Sequence, residues 1–339
     1  MPTILSLQAL GNTPWPTIDP FLFCVHHNDA YPRGNLQMGP DAALTGRNLG
    51  QDFAGKDGWS MYHGETVPGF PAHPHRGFET VTVVRKGLID HSDSLGATAR
   101  FGGGDVQWLT AGKGIVHCEM FPLVNADAPN PTELFQIWLN LPAKNKMAEP
   151  HFTMLWNEDI PRRRLLDTAG RTTELVCIAG TWDHTPSLSP PPASWASEPD
   201  SDLGICTLKM APHAICTLPP AAHASTRRQL YFFAGTGLTL NGRVVKPNHA
   251  IEVRADEPIE LVNGDTTAEL LVLQGRPIAE PVAQYGPFVM NTTAEIQQTF
   301  DDYRRTQFGG WLWGRSDPTH PRDQGRFARH ANGRLQTPT

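Results

Sequence analysis

None of the five cysteines, Cys24, Cys118, Cys177, Cys206 and Cys216, stands in a C-x-x-C pair, and their number is odd. That pattern excludes the disulfide framework of a small secreted scaffold and reads as reduced thiols, mostly core filler, in a reducing compartment. Long apolar runs are also missing: nothing approaches the roughly 18 residues of a membrane span. The stretch Met1 to Leu10 has neither a basic region nor a sustained apolar run, so no signal peptide is expected and a cytoplasmic location is. Basic clusters are scarce too. With 28 Lys and Arg against 34 Asp and Glu the formal net charge is −6, which argues against direct nucleic-acid binding, since that needs a concentrated positive footprint. The one basic run, Arg162-Arg163-Arg164, has no Gly-rich cradle beside it and reads as a solvated or salt-bridged face.

Glycine and proline are abundant, at 31 each in 339 residues, and they favour turns over long helices. The chain is long enough for two ordinary domains. From Glu79 onward, short β-branched or apolar runs recur every eight to twelve residues between Gly-rich turns. Thr80-Val81-Thr82-Val83-Val84, Leu88-Ile89-Asp90-His91, Val106-Gln107-Trp108-Leu109 and Leu134-Phe135-Gln136-Ile137-Trp138-Leu139 are examples. This is the pattern of a β-sandwich or barrel. A second run of short strands extends from Glu174 to Leu273, interrupted by a Pro-rich surface loop at 186–192. One helix is predicted over 292–308, where Thr292 and Glu295 form a capping-box pattern and Gly309-Gly310 stops it. The tail from Trp311 has no periodicity and reads as a surface-draped or partly disordered segment. The fold class is therefore all-β with a short C-terminal helix.

The segment that organises the chain runs from His73 to Met120. On an extended strand residues i and i+2 share a face, so His73-Pro74-His75 and His117-Cys118-Glu119 each aim two metal-capable groups the same way. If the two strands face each other across a barrel, His73, His75, His117 and Glu119 converge as three nitrogens and one oxygen. Such donors suit Fe, Mn, Ni, Cu or Zn, and the absence of thiolate argues against a closed structural zinc site. Four protein donors around an ion that accepts six leave two open positions. Cys118 should face away as packing, and Glu79 would join the donors only if no bend intervenes at Gly77. His26, His27, His91, His320 and His330 read as structural or surface histidines, and His213, His223 and His249 form no metal pattern.

These residues resemble the pirins, two-domain members of the cupin superfamily. The likeness rests on His73-Pro74-His75-Arg76-Gly77-Phe78-Glu79-Thr80-Val81-Thr82, Asp93-Ser94-Leu95-Gly96, Gly104-Asp105-Val106-Gln107-Trp108 and Gly114-Ile115-Val116-His117-Cys118-Glu119-Met120. It extends to Asn140-Leu141-Pro142 and to Gln284-Tyr285-Gly286-Pro287-Phe288. The resemblance implies two tandem cupin (jelly-roll type) β-barrels: a metal-binding domain over 1–145, a second barrel without metal over 146–310, and a tail over 311–339. It implies one divalent metal, commonly iron, on His73, His75, His117 and Glu119.

Two functions follow from the resemblance. One is a dioxygenase cleaving a flavonol such as quercetin with O2, in which Glu119 accepts the substrate's hydroxyl proton and Phe78, Trp108, Phe135 or Trp138 line a flat pocket for the aromatic substrate. The alternative is an iron-dependent, redox-responsive regulator acting through a protein partner, without direct contact to nucleic acid or membrane.

Overall fold

The computed structural model describes residues 3–11 and 14–339, so the first two residues of the N-terminal stretch considered above lie outside the described residues. Almost all regular structure is strand, as the turn-rich sequence requires, and the one α-helix spans Thr293–Thr306. Its N-cap is the expected capping box, with Thr292 Oγ1 accepting from the Glu295 amide and the Glu295 carboxylate accepting from the Thr292 amide. The chain divides into two compact units, each drawn from separate stretches of the sequence. The first comprises residues 1–25, 137–142 and 159–279, and the second 26–136, 143–158 and 280–339.

In the first unit a seven-stranded sheet runs in the order Ile4–Ala9, His249–Arg254, Arg227–Ala234, Ala268–Gly275, Gly204–Met210, Thr172–Ala179, Arg162–Leu166. A four-stranded sheet of Ile215–Leu218, Ile259–Asn263, Leu238–Leu240 and Arg243–Val245 completes it. Alternate residues of both sheets, among them Leu230, Ile251, Leu270, Leu218, Leu240 and Leu261, fill one apolar core. Ile4 is buried in that core, which explains why the first strand joins this sheet. The arginine run 162–164 lies exposed on the sheet's edge strand, where charge discourages further pairing.

The second unit holds the His73–Met120 segment. Its five-stranded sheet runs His151–Leu155, Val106–Thr110, Phe78–Lys86, then residues 130–136 of the strand Asn130–Asn140 and residues 26–31 of the strand Phe21–Tyr31, and its six-stranded sheet runs Leu335–Gln336, Phe327–Arg329, Thr98–Gly102, Leu88–Asp93, Ile115–Met120, Gly69–His75. Val84, Ile89, Phe101, Leu109, Ile115 and Leu134 pack between them. Two of the six strands come from the tail beyond residue 311. The tail is thus an ordered part of the sheet rather than a loose drape, with Ala328 directly opposite Ala99.

Gly77 shapes the corner between His75 and Phe78. Its φ is +85°, and a Cβ there would lie 1.9 Å from the Val289 carbonyl oxygen. Only glycine fits this backbone against that neighbour. Gly77→Ala is therefore expected to lower stability by at least about 1–3 kcal/mol, read as a shift of the urea midpoint. A shift below about 0.5 kcal/mol would show that the corner relaxes freely.

Candidate metal centre

The strands Gly69–His75 and Ile115–Met120 carry the two histidine motifs, and they are antiparallel neighbours in one sheet with His73 opposite His117. The sequence pattern had placed them across the barrel from one another. Cross-strand partners sit about 4.5–5.5 Å apart, so adjacency brings the imidazoles together more directly. The register is irregular: Phe70 pairs with Glu119 and His73 with His117, so one strand spends one more residue than the other. This bulge, at Pro71-Ala72, turns His73 onto the face of His117.

The rings of His73 and His117 have centroids 4.5 Å apart, those of His73 and His75 4.7 Å, and those of His75 and His117 5.0 Å. One ligating atom from each lies within 4.8 Å of the other two. Burial holds all three imidazoles neutral: His73 is lowered to about 4, and His75 and His117 fall well below the usual histidine range, with neighbouring imidazoles adding to the effect. Neutral imidazole is the form that binds metal. His73 Nδ1 donates to the Pro71 carbonyl at 2.8 Å, which orients the ring and leaves Nε2 as the donor atom. Both nitrogens of His117 are buried without a hydrogen-bond partner among the described residues. Such a group costs roughly 1–3 kcal/mol, and an ion on one nitrogen offsets that cost. The donor set fits a metal ion.

Glu119 lies beside the cluster, with Oε2 3.9 Å from His117 Nε2. Burial raises its pKa, against the opposing influence of His91, Thr82 and Gln136. Thr82 Oγ1 is 3.0 Å from Glu119 Oε1 and 2.7 Å from Gln136 Oε1, and Gln136 Nε2 donates to Glu119 Oε2 at 3.2 Å. A hydroxyl has one hydrogen to give. A proton on Glu119 Oε1 would donate to Thr82, Thr82 to Gln136 and Gln136 back to Glu119, closing a ring of three hydrogen bonds.

Glu79 is fully buried and accepts from Thr110 Oγ1 at 2.6 Å, outside the cluster. Phe78, Trp108 and Phe135 are core residues with almost no exposure, and Trp138 belongs to the first unit, where it packs on Phe23. Phe78, though fully buried, nonetheless has its ring 5.1 Å from that of His75, and half-buried Phe70 lies 6.4 Å from His73 and stacks on Tyr62 at 5.2 Å. His91, expected at a loop edge, is fully buried on the strand Leu88–Asp93, with Nε2 3.1 Å from Asp93 Oδ2 and its ring 5.4 Å from that of His117. The His91-Ser92-Asp93 spacing, the same i, i+2 pattern as the histidine motifs, was the available signal. His26 contacts Glu133 at 3.1 Å and His27 contacts the Tyr62 hydroxyl at 2.8 Å, structural roles as expected. Cys118 is buried with Val67 and Met120 as packing.

A two-barrel protein of cupin type with three clustered, neutral imidazoles, two of them fully buried, beside a carboxylate is the class that this fold and site define. The pirin family model matches residues 8–139 and the pirin C-terminal cupin domain model matches residues 206–309. The chain belongs to the pirin family. A Pseudomonas aeruginosa protein named "Putative quercetin 2,3-dioxygenase" is 40% identical over 241 residues, 70% of this chain and 79% of that protein. Human pirin is 32% identical over 257 residues, 73% of this chain and 80% of its own. A crystal structure of quercetin 2,3-dioxygenase from Acinetobacter baumannii shares the fold with a TM-score of 0.69 at 24% identity, covering 91% of this chain and 98% of that one. Among the described residues no helix is long and apolar enough to cross a membrane.

Proposed function

We propose that this chain is a metal-dependent dioxygenase that cleaves a flavonol such as quercetin with O2, with iron held by His73, His75, His117 and Glu119. The observation that carries the reading is the pairing of three imidazoles held neutral with a carboxylate whose oxygens meet Thr82 and Gln136. An ion on those donors supplies Lewis-acid charge and one-electron chemistry toward dioxygen. The protein's own groups do the rest. Glu119 takes the flavonol hydroxyl proton, and its raised pKa makes it a better acceptor than an exposed carboxylate. Thr82 and Gln136 keep Glu119 aimed in both protonation states. Phe70 and Tyr62 offer a flat aromatic wall beside His73, suited to a planar polyphenol. Relatives named for quercetin 2,3-dioxygenase activity at 37% and 40% identity support the substrate class.

The test is elemental analysis followed by oxygen uptake with quercetin, for wild type and Glu119→Gln. Wild type is expected to carry one metal ion per chain and consume oxygen. Glu119→Gln is expected to bind metal more weakly and, compared at equal metal content, to lose turnover by about 10²–10⁴, the usual worth of a positioned general base. Unchanged turnover removes Glu119 from the reaction, and metal-replete wild type that consumes no oxygen with quercetin overturns the proposed activity.

A further inference from the structure

Within the second unit lies a cavity of about 250 Å³ that none of the three clustered histidines lines. We propose that this cavity is a binding site for a small monocyclic aromatic carboxylate, of which benzoate is the simplest. Its volume falls just below the ~300–1,000 Å³ typical of sites for drug-sized ligands, which leaves room for a single substituted ring. The floor is apolar, made by Ala97, Leu109, Ile115 and Phe152. Phe152 stacks on His330 with centroids 4.6 Å apart and planes at 11°, so one side is flat.

The mouth carries one fixed positive charge, that of Arg334. His151, His330 and Arg334 line it, and His151 is held below the ordinary histidine range by burial and by the nearby His330 and Arg334. Among the described residues no carboxylate pairs with Arg334. Its Nη2 lies 2.9 Å from His330 Nε2 and 3.5 Å from Gln336 Oε1, neither of them a carboxylate, and His330 Nε2 itself contacts Gln336 Oε1. The single carboxylate lining the cavity, Asp93, is committed elsewhere. Its Oδ1 accepts from the amides of Leu95 at 2.9 Å and Ala97 at 3.0 Å, and Oδ2 faces His91 Nε2 at 3.1 Å. An anion that enters ring first therefore buries carbon against carbon and leaves its charge beside an uncompensated guanidinium. Inorganic phosphate would gain the charge but waste the floor, and a neutral ring would gain the floor but waste the charge.

The cavity belongs to this chain's own tail. His330 to Arg334 lie beyond residue 309, where the C-terminal family match ends. The turn they form is closed by His330 N donating to Arg334 O at 2.9 Å and Gly333 N to His330 O at 2.8 Å. It joins Phe327–Arg329, paired to Thr98–Gly102, with Leu335–Gln336. A pirin-type core without the extension would lack this wall. The inference is independent of the metal centre.

Isothermal titration of the full chain with benzoate, benzamide and inorganic phosphate tests it, using metal-stripped protein so that a carboxylate bound at the histidine cluster is not counted. Saturable 1:1 binding of benzoate is expected, with benzamide and phosphate each weaker by at least about tenfold. Arg334→Ala, at an exposed position that leaves the fold intact, is expected to weaken benzoate by at least about tenfold, as loss of a charge-assisted contact requires. The His330 ring resonances should shift on titration in wild type. Absence of saturable benzoate binding, equal affinity for benzamide, or unchanged affinity in Arg334→Ala would each overturn the proposal. So would benzoate binding seen with metal-loaded protein and lost on stripping.

Discussion

Replacing His117 with alanine is expected to abolish stable metal binding and, with it, oxygen consumption with quercetin. His117 faces both other imidazoles, at 4.5 and 5.0 Å between ring centroids, and lies 3.9 Å from Glu119, so it is the side chain all the other donors share. Its nitrogens have no hydrogen-bond partner among the described residues, so nothing competes with an ion for them. Losing a partner that merely orients a ligand costs 10–100-fold in metal affinity, and losing the ligand itself should exceed that. Metal content after dialysis should fall from one ion per chain to near zero, while far-ultraviolet circular dichroism stays that of the β-rich wild type. Retention of one tightly bound ion in His117→Ala would show that the ion sits elsewhere.

Arg100→Ala is expected to cost the folded state about 3–5 kcal/mol, the usual consequence of stranding one partner of a buried ion pair. Arg100 and Asp90 have fully buried side chains. Nε and Nη2 of Arg100 meet the two Asp90 oxygens at 2.7 Å each, and the guanidinium also donates to the carbonyls of His320, Pro321 and Gln324. The same arginine thus closes the pair and ties the tail to the barrel. Urea unfolding should show the drop, and trypsin should cut between residues 311 and 339 before the rest of the chain. A loss under about 1 kcal/mol, or a tail no easier to cleave than in wild type, would mean that the sheet pairing of Phe327–Arg329 suffices without it.

The histidine motifs were legible because strand geometry forces residues i and i+2 onto one face, and that rule needs no knowledge of the neighbouring strand. How the two motifs meet was not legible. Their adjacency depends on a bulge at Pro71-Ala72, and a one-residue change of register is invisible in a strand whose own alternation is intact. The helix over Thr293–Thr306 was readable from Thr292 and Glu295, since a capping box is local chemistry. By contrast, His91, Thr82 and Gln136 reach the site through pairings between strands distant in sequence, and periodicity within each strand says nothing of those partners. The tail misled for a related reason. Phe327–Arg329 is too short to show alternation, and its place in the sheet comes from Arg100 and from pairing with Thr98–Gly102. Ile4–Ala9 likewise pairs some 240 residues away with His249–Arg254, which no reading of consecutive segments would assign.

The most direct measurement is anomalous diffraction at the metal edge from crystals of the metal-replete protein. The account predicts one strong peak per chain, within about 2.0–2.2 Å of a nitrogen from each of His73, His75 and His117, with Glu119 on the same side. A peak at any other group, or none at full metal occupancy in solution, would contradict it.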